Sequence, residues 1–218
     1  MSEDQEFRNI EVTEEFTEEV LAGINTCYHE VTITKVNGQC PYGHREGDTH
    51  RVTSMNTDSL CGSLFHTLYP SVMSMQYHGN APWENEKGHF QALCPEMGKV
   101  QVDVRRVEKD DTKLFWTKST TKDMTGKCYA NLDKYRVFVE ILGVENHCTR
   151  CQRPGQRFEI DHFNIGNLCG CLYWGVYHFM EILYSEGQVP WEGEEHIIHG
   201  ICPDIFNQCS FRLIREKR

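Results

Sequence analysis

Apolar positions at Val31, Ile33 and Val36 are interleaved with polar ones, a near-alternation that predicts a short half-buried strand, and the same spacing returns at Val139, Ile141 and Val144. A second strand is predicted over 50–55 and 158–163. A helix follows in both places: Leu60, Leu64, Phe65, Leu68 and Val72 step by three and four, as do Leu168, Leu172, Tyr173, Val176 and Met180. Asp58 or Ser59 and Asn167 are the expected N-caps, and Pro70 is expected to kink or shorten the first helix. Two more strands are predicted near 90–93 and 100–107, then 197–201 and 209–214. The order ββαββ, twice, places the chain in the α+β class, because one helix per four strands cannot supply the crossovers of a parallel sheet.

The two halves are copies. Residues 31–95 laid on 139–203 give 19 identities in 65 positions at a constant offset of 108, without a gap. Cys40, Cys61 and Cys94 recur as Cys148, Cys169 and Cys202. If retention ignored residue type, keeping all three would have a chance of roughly one in forty. The implied organisation is an acidic N-terminal helix at 1–26, repeat 1 at 27–108, a Lys/Asp/Thr-rich linker at 109–130 and repeat 2 at 131–218, with the tandem ββαββ repeats packed as a pseudo-twofold pair.

Charge and composition narrow the chemistry. The net charge of −10 is concentrated at the start, where residues 1–25 hold eight acids and one base, so a basic nucleic-acid footprint is absent. Val12, Phe16, Val20 and Ile24 fall near one face of that segment, which reads as a docking or dimer-contact helix. No apolar run approaches the length of a membrane span, and the acidic opening does not resemble a signal peptide, so a cytoplasmic protein is expected. In a reducing compartment eleven cysteines point to thiols or metal ligands rather than to disulfides.

The shared ligand set is all sulfur and three strong, since none of His44, His50, His66, His78 or His89 faces a histidine in the second copy. Three protein ligands leave a coordination position open, on zinc or on an iron–sulfur cluster. Cys61 and Cys169 are expected in the first helical turn, where the helix dipole favours thiolate, with Gly62 and Gly170 allowing close approach. Beyond the triad, repeat 1 offers His44 as a further ligand and Asp48 as a weaker one. Repeat 2 offers Cys151 and Cys171, which replace Gly43 and Ser63. His196 and His199 resemble a metal pair, but a strand sends positions three apart to opposite faces. Trp83 and Trp191, in the repeated Pro-Trp-Glu, are expected to lid a core or to wall a pocket with Glu84 and Glu192. No phosphate-binding, dinucleotide, zincin or serine-hydrolase signature is present.

The strings CPYGHREGD, LCGSLFHTLYP, GNAPWE, ALCPE and VDVRRVE together resemble a small family of uncharacterised proteins of about 85 residues per unit, frequent in anaerobic bacteria and archaea. The likeness spans about 28–108 and, more loosely, 135–216, where Gln152, Gln156 and His178 depart from the pattern. It implies the fold and the site position, carries no activity, and its anaerobic setting favours iron–sulfur over zinc. The resulting expectation is a metal-binding protein with an iron–sulfur cluster on one or both triads and a small-molecule ligand at the open position. The alternatives are a zinc-bound structural or partner-binding module and a metal-free thiol redox protein using Cys148 and Cys151.

Overall fold

The computed structural model describes residues 25–110, 131–148, 150, 152–204 and 208–218, with Glu15, Glu18, Glu19 and Ala22. The expected N-terminal helix and linker therefore fall almost wholly outside the described residues, as does Cys151.

Ten elements follow in chain order: β1 (Cys27–Val36), β2 (Thr49–Val52), α1 (Gly62–Gln76), β3 (His89–Leu93), β4 (Val100–Glu108), β5 (Tyr135–Val144), β6 (Arg157–Ile160), α2 (Gly170–Tyr184), β7 (Ile197–Ile201) and β8 (Cys209–Lys217). They build two four-stranded antiparallel sheets, β2-β1-β4-β3 and β6-β5-β8-β7, an α+β architecture consistent with two repeats. Register repeats as well: Val31 faces Val104 and Val139 faces Leu213, and both long ladders slip at one place, between Ile33 and Lys35 and between Ile141 and Gly143. A bulge of this kind bends the strand and sharpens its twist.

The alternation seen in the sequence now has a direction. Val31, Ile33, Val102 and Val104 are buried on one face of the first sheet and Val139, Ile141, Phe211 and Leu213 on one face of the second, in a single apolar cluster with Leu64, Phe65, Leu68, Leu172, Val176 and Met180 from the helices. Each such side chain contributes about 1.5–3 kcal/mol by leaving water. Among the described residues these two helices pack on each other. Phe65 meets Tyr173 with ring centroids 6.0 Å apart and His66 stacks on Trp174 at 5.4 Å, and in both pairs the partners are separated by the repeat offset.

The loops before the helices make the tightest joint. Thr53 Oγ1 accepts the amides of Met55 and Asn56, and its counterpart Asp161 Oδ1 accepts those of Phe163 and Ile165, so a polar side chain holds each turn. The turns then exchange bonds: Gly62 N–H donates to the His162 carbonyl at 2.7 Å and Gly170 N–H to the Met55 carbonyl at 2.9 Å. A Cβ on Gly62 would lie 2.2 Å from the Tyr177 ring, and one on Gly170 would lie 2.5 Å from the Ser54 carbonyl. These glycines do permit close approach, as expected, but what approaches is the other repeat.

Several local expectations are corrected. The N-caps are Cys61 and Cys169, whereas Asp58, Ser59 and Asn167 take positive φ in the turns just before them. Pro70 lies inside α1, which runs on to Gln76. Trp83 and Trp191 are 74% and 66% exposed and lid nothing. Their glutamate neighbours act on the sheet edges instead: Glu84 Oε1 accepts the amide of Gln91 at 3.3 Å and Glu192 Oε1 that of His199 at 2.7 Å. Each occupies a donor that an edge strand would otherwise present to another chain.

Candidate metal centres

In the second repeat the chain delivers sulfur from every corner of the unit. Cys148 lies in the loop after β5, Cys169 caps α2, Cys171 sits in its first turn, Cys202 follows β7 and Cys209 opens β8. The β7–β8 hairpin sets the last two opposite each other, with Cys202 N–H donating to the Cys209 carbonyl at 2.8 Å. None of the five forms a disulfide. They reach one neighbourhood: the Cys209 thiol hydrogen-bonds to Cys148, the Cys202 thiol to Cys171, and Cys169 feels both Cys171 and Cys148.

Proton positions follow from those pairs. Hydrogen bonding from Cys209, helped by the amides of Arg150 and Gln152, lowers Cys148 to about 6 despite burial. The Cys202 thiol likewise lowers Cys171, while Cys202 and Cys209, the two donors, are raised. Cys148 is thereby drawn toward thiolate and Cys171 is shifted in the same direction, each facing a thiol donor. Five clustered sulfurs, of which Cys169, Cys202 and Cys209 are buried and Cys148 and Cys171 half-buried, cannot all ionise without a cation, and a metal would replace the shared protons. In metal-free protein, alkylation of Cys148 is expected to show a midpoint near pH 6, against about 8.5 for an ordinary cysteine. Mass spectrometry after timed labelling reads this, and a midpoint above pH 8 would contradict the pairing.

Cys169 departs from expectation. As an N-cap it takes the Leu172 amide on its sulfur at 3.4 Å, yet its pKa is raised, because burial outweighs the amide and the helix dipole. After Cys94-Pro95 and Cys202-Pro203 the next amide reaches the sulfur: Glu96 N–H lies 3.4 Å from Cys94 Sγ, and the Asp204 amide bonds Cys202.

Sequence reasoning missed two members of this centre. Cys209 pairs with Val144 just as Val100 pairs with Val36, so it is the counterpart of Val100, displaced by one extra residue in the β7–β8 turn and invisible at a constant offset. Its place seven positions after Cys202, across a predicted hairpin, was the available signal. Tyr69 comes from the other repeat: burial and the sulfurs of Cys171, Cys169 and Cys202 raise its phenol. Its counterpart Tyr177 is raised by burial, with Cys61 among its neighbours. Tyr69 thus lies near three cysteines of the other repeat, and Tyr177 near one.

The first repeat is poorer in sulfur and richer in nitrogen. Cys40, Cys61 and Cys94 are buried, and Cys94 is pushed up by burial, opposed by the Glu96 amide and raised further by Cys40. Cys61 caps α1, and its own amide donates to His44 Nε2 at 3.3 Å. His44, Asp48 and His50 bring one ligand atom each within 4.8 Å of one another, a candidate metal-binding group, and among the described residues it is the only such trio. His50, which the sequence reading did not select, joins it because β2 turns position 50 inward. A cavity of about 580 Å³ lined by Cys40, Gly43, His44, Arg45 and Glu46 opens beside this group. His196 and His199 are not a pair: they go to different acids, Glu194 and Glu192.

No family model, curated protein or solved structure matches the chain. Among the described residues no helix is long and apolar enough to cross a membrane.

Proposed function

We propose that the protein is a metal-binding protein whose second repeat holds an iron–sulfur cluster. One observation carries this: Cys148, Cys169, Cys171, Cys202 and Cys209 converge in one neighbourhood, without disulfides, with Cys209 hydrogen-bonded to Cys148 and Cys202 to Cys171. A single zinc ion with bonds of about 2.3 Å draws its sulfurs to about 4 Å of one another. An iron–sulfur cluster takes the same thiolate ligands, and iron is preferred to zinc on the likeness of the chain to a family frequent in anaerobes. With more than three sulfurs at hand the second site closes its coordination, which fits a structural or electron-carrying role. The open position of the first repeat, beside its cavity, is then the place for a small-molecule ligand or for Lewis-acid chemistry. The repeats are taken as two ββαββ units about a pseudo-twofold axis, supported by the offset-related contacts of Phe65 with Tyr173 and of His66 with Trp174. Thiols held in this state suit a reducing, cytoplasmic setting.

Anaerobic purification followed by iron, sulfide and zinc analysis tests the reading. Iron and inorganic sulfide in comparable amounts, with broad absorption near about 400 nm, are expected of thiolate-bound iron. A colourless protein with stoichiometric zinc would replace the cluster by a zinc module, and a metal-free protein would favour thiol redox chemistry.

A further inference from the structure

The first repeat carries a metal-ligand set of different character, and the second repeat lacks it. At the positions corresponding to His44, Asp48 and His50 stand Gln152, Gln156 and Phe158. We infer that His44, Asp48 and His50 bind a borderline divalent transition-metal ion, and that its arrival breaks the hydrogen bond by which His44 holds the amide of Cys61. This stands independently of the cluster proposed for the second repeat.

The ligands sit on a fixed frame. Asp48 is tied to β1 through its carbonyl, which accepts from Ile33 N–H at 2.9 Å, and Gly47 N–H returns a bond to the Ile33 carbonyl at 2.9 Å. One carboxylate oxygen of Asp48 accepts the Arg45 amide at 2.9 Å, and a carboxylate with about four lone-pair sites retains capacity for a metal. His50 Nδ1 lies 2.9 Å from the carbonyl oxygen of Asp58. A carbonyl can only accept, so Nδ1 carries the proton and Nε2 the lone pair. An outer carbonyl that fixes the tautomer in this way is the usual companion of a metal-bound imidazole.

Two imidazoles and a carboxylate select a class of ion. Hard calcium and magnesium prefer oxygen, copper(I) prefers sulfur, and zinc, cobalt(II), nickel(II) and iron(II) accept this mixture. Bonds of about 2.0–2.2 Å draw the three atoms inward from their present spacing by side-chain rotation. The cavity lined by Cys40, Gly43 and His44 gives the ion and its remaining water ligands an entry path.

The coupling to Cys61 follows from the limited valence of one imidazole. In the structure His44 Nε2 accepts the Cys61 amide, so its proton is on Nδ1. If the metal takes Nε2, it displaces the amide. If it takes Nδ1, the proton must move to Nε2, which then faces the amide as a second donor. Either route ends the bond. The residue released is the N-cap of α1 and the middle cysteine of the first triad, so occupancy of the nitrogen and oxygen site changes how that cysteine is held.

Cobalt(II) is the probe, added to anaerobically purified full-length protein with its resident metal in place. Equilibrium dialysis should find one added cobalt, with X-ray absorption reporting nitrogen and oxygen neighbours. Asp48→Asn and His50→Gln should weaken cobalt binding by more than about 100-fold, beyond the effect usual for an outer-shell change. His44→Gln should lose cobalt equally while keeping the wild-type unfolding midpoint, because a glutamine oxygen still accepts the Cys61 amide. Amide exchange at Cys61 should accelerate when cobalt binds. Sulfur neighbours at cobalt, or wild-type affinity in His44→Gln and His50→Gln, would overturn the site, and unchanged exchange at Cys61 would overturn the coupling. Iron content should be the same in all three variants, so a failure of the cluster reading is scored separately.

Discussion

Serine in place of Cys169 is expected to strip the second repeat of its metal and to lower unfolding stability by about 4 kcal/mol when free metal stands about 1,000-fold above its dissociation constant. The substitution separates two roles of one side chain. Cys169 accepts the Leu172 amide as the N-cap of α2, and serine is a stronger cap than most residues, so the helix keeps its start. What goes is a buried sulfur next to Cys171 and Cys148. Urea unfolding of the two proteins, with and without a chelator, reads the difference. With metal removed the curves should lie within about 1 kcal/mol, the size of a single cap or hydrogen bond. A gap of the same size in chelator would show that Cys169 serves packing, and the metal reading of this residue would be lost.

The second large effect is expected at the joint between the repeats. Gly170→Ala should destabilise the protein by about 2–3 kcal/mol, the usual range for overpacking a close contact. Alanine is favoured over glycine in a helix interior by up to about 1 kcal/mol, so propensity alone predicts the opposite sign. The contact decides. A new Cβ would lie 2.5 Å from the Ser54 carbonyl and 2.9 Å from the Phe65 ring, and a backbone carbonyl cannot swing aside. Moving the two loops apart would also stretch the bond from Gly170 N–H to the Met55 carbonyl. Gly62→Ala should behave similarly against Tyr177 and Tyr173, whereas Gly193→Ala, with nothing within 4 Å, should be close to neutral. Thermal or urea unfolding of the three variants is sufficient, and a Gly170→Ala protein as stable as the parent would refute the account of the joint.

How far the sequence reached depended on the range of the interaction involved. Val31 and Ile33, or Leu64, Phe65 and Leu68, carry their periodicity locally, and the predicted strands and helices agree with the observed ones to within a few residues. Boundaries shifted where a tertiary bond ends the element. The helix at Leu60 begins two residues later, at Gly62, because Cys61 takes the capping place. Trp83 and Trp191 misled because a large apolar side chain beside a conserved-looking Pro and Glu suggests a core, whereas it is the glutamate that has the structural partner.

By itself the sequence determined the self-similarity of 31–95 and 139–203, the α+β class and the recurrence of three cysteines, since each is a matter of spacing along the chain. Only the tertiary structure could bring Cys209 to Cys148 and Tyr69 to the sulfurs of the other repeat, or set His50 beside His44 and Asp48. Those meetings depend on strand register and on how the two halves pack. Only the structure, too, reversed the expected effect on Cys169. A helix N-terminus favours thiolate, but the burial that opposes it is set by atoms distant in sequence, and here burial is the larger.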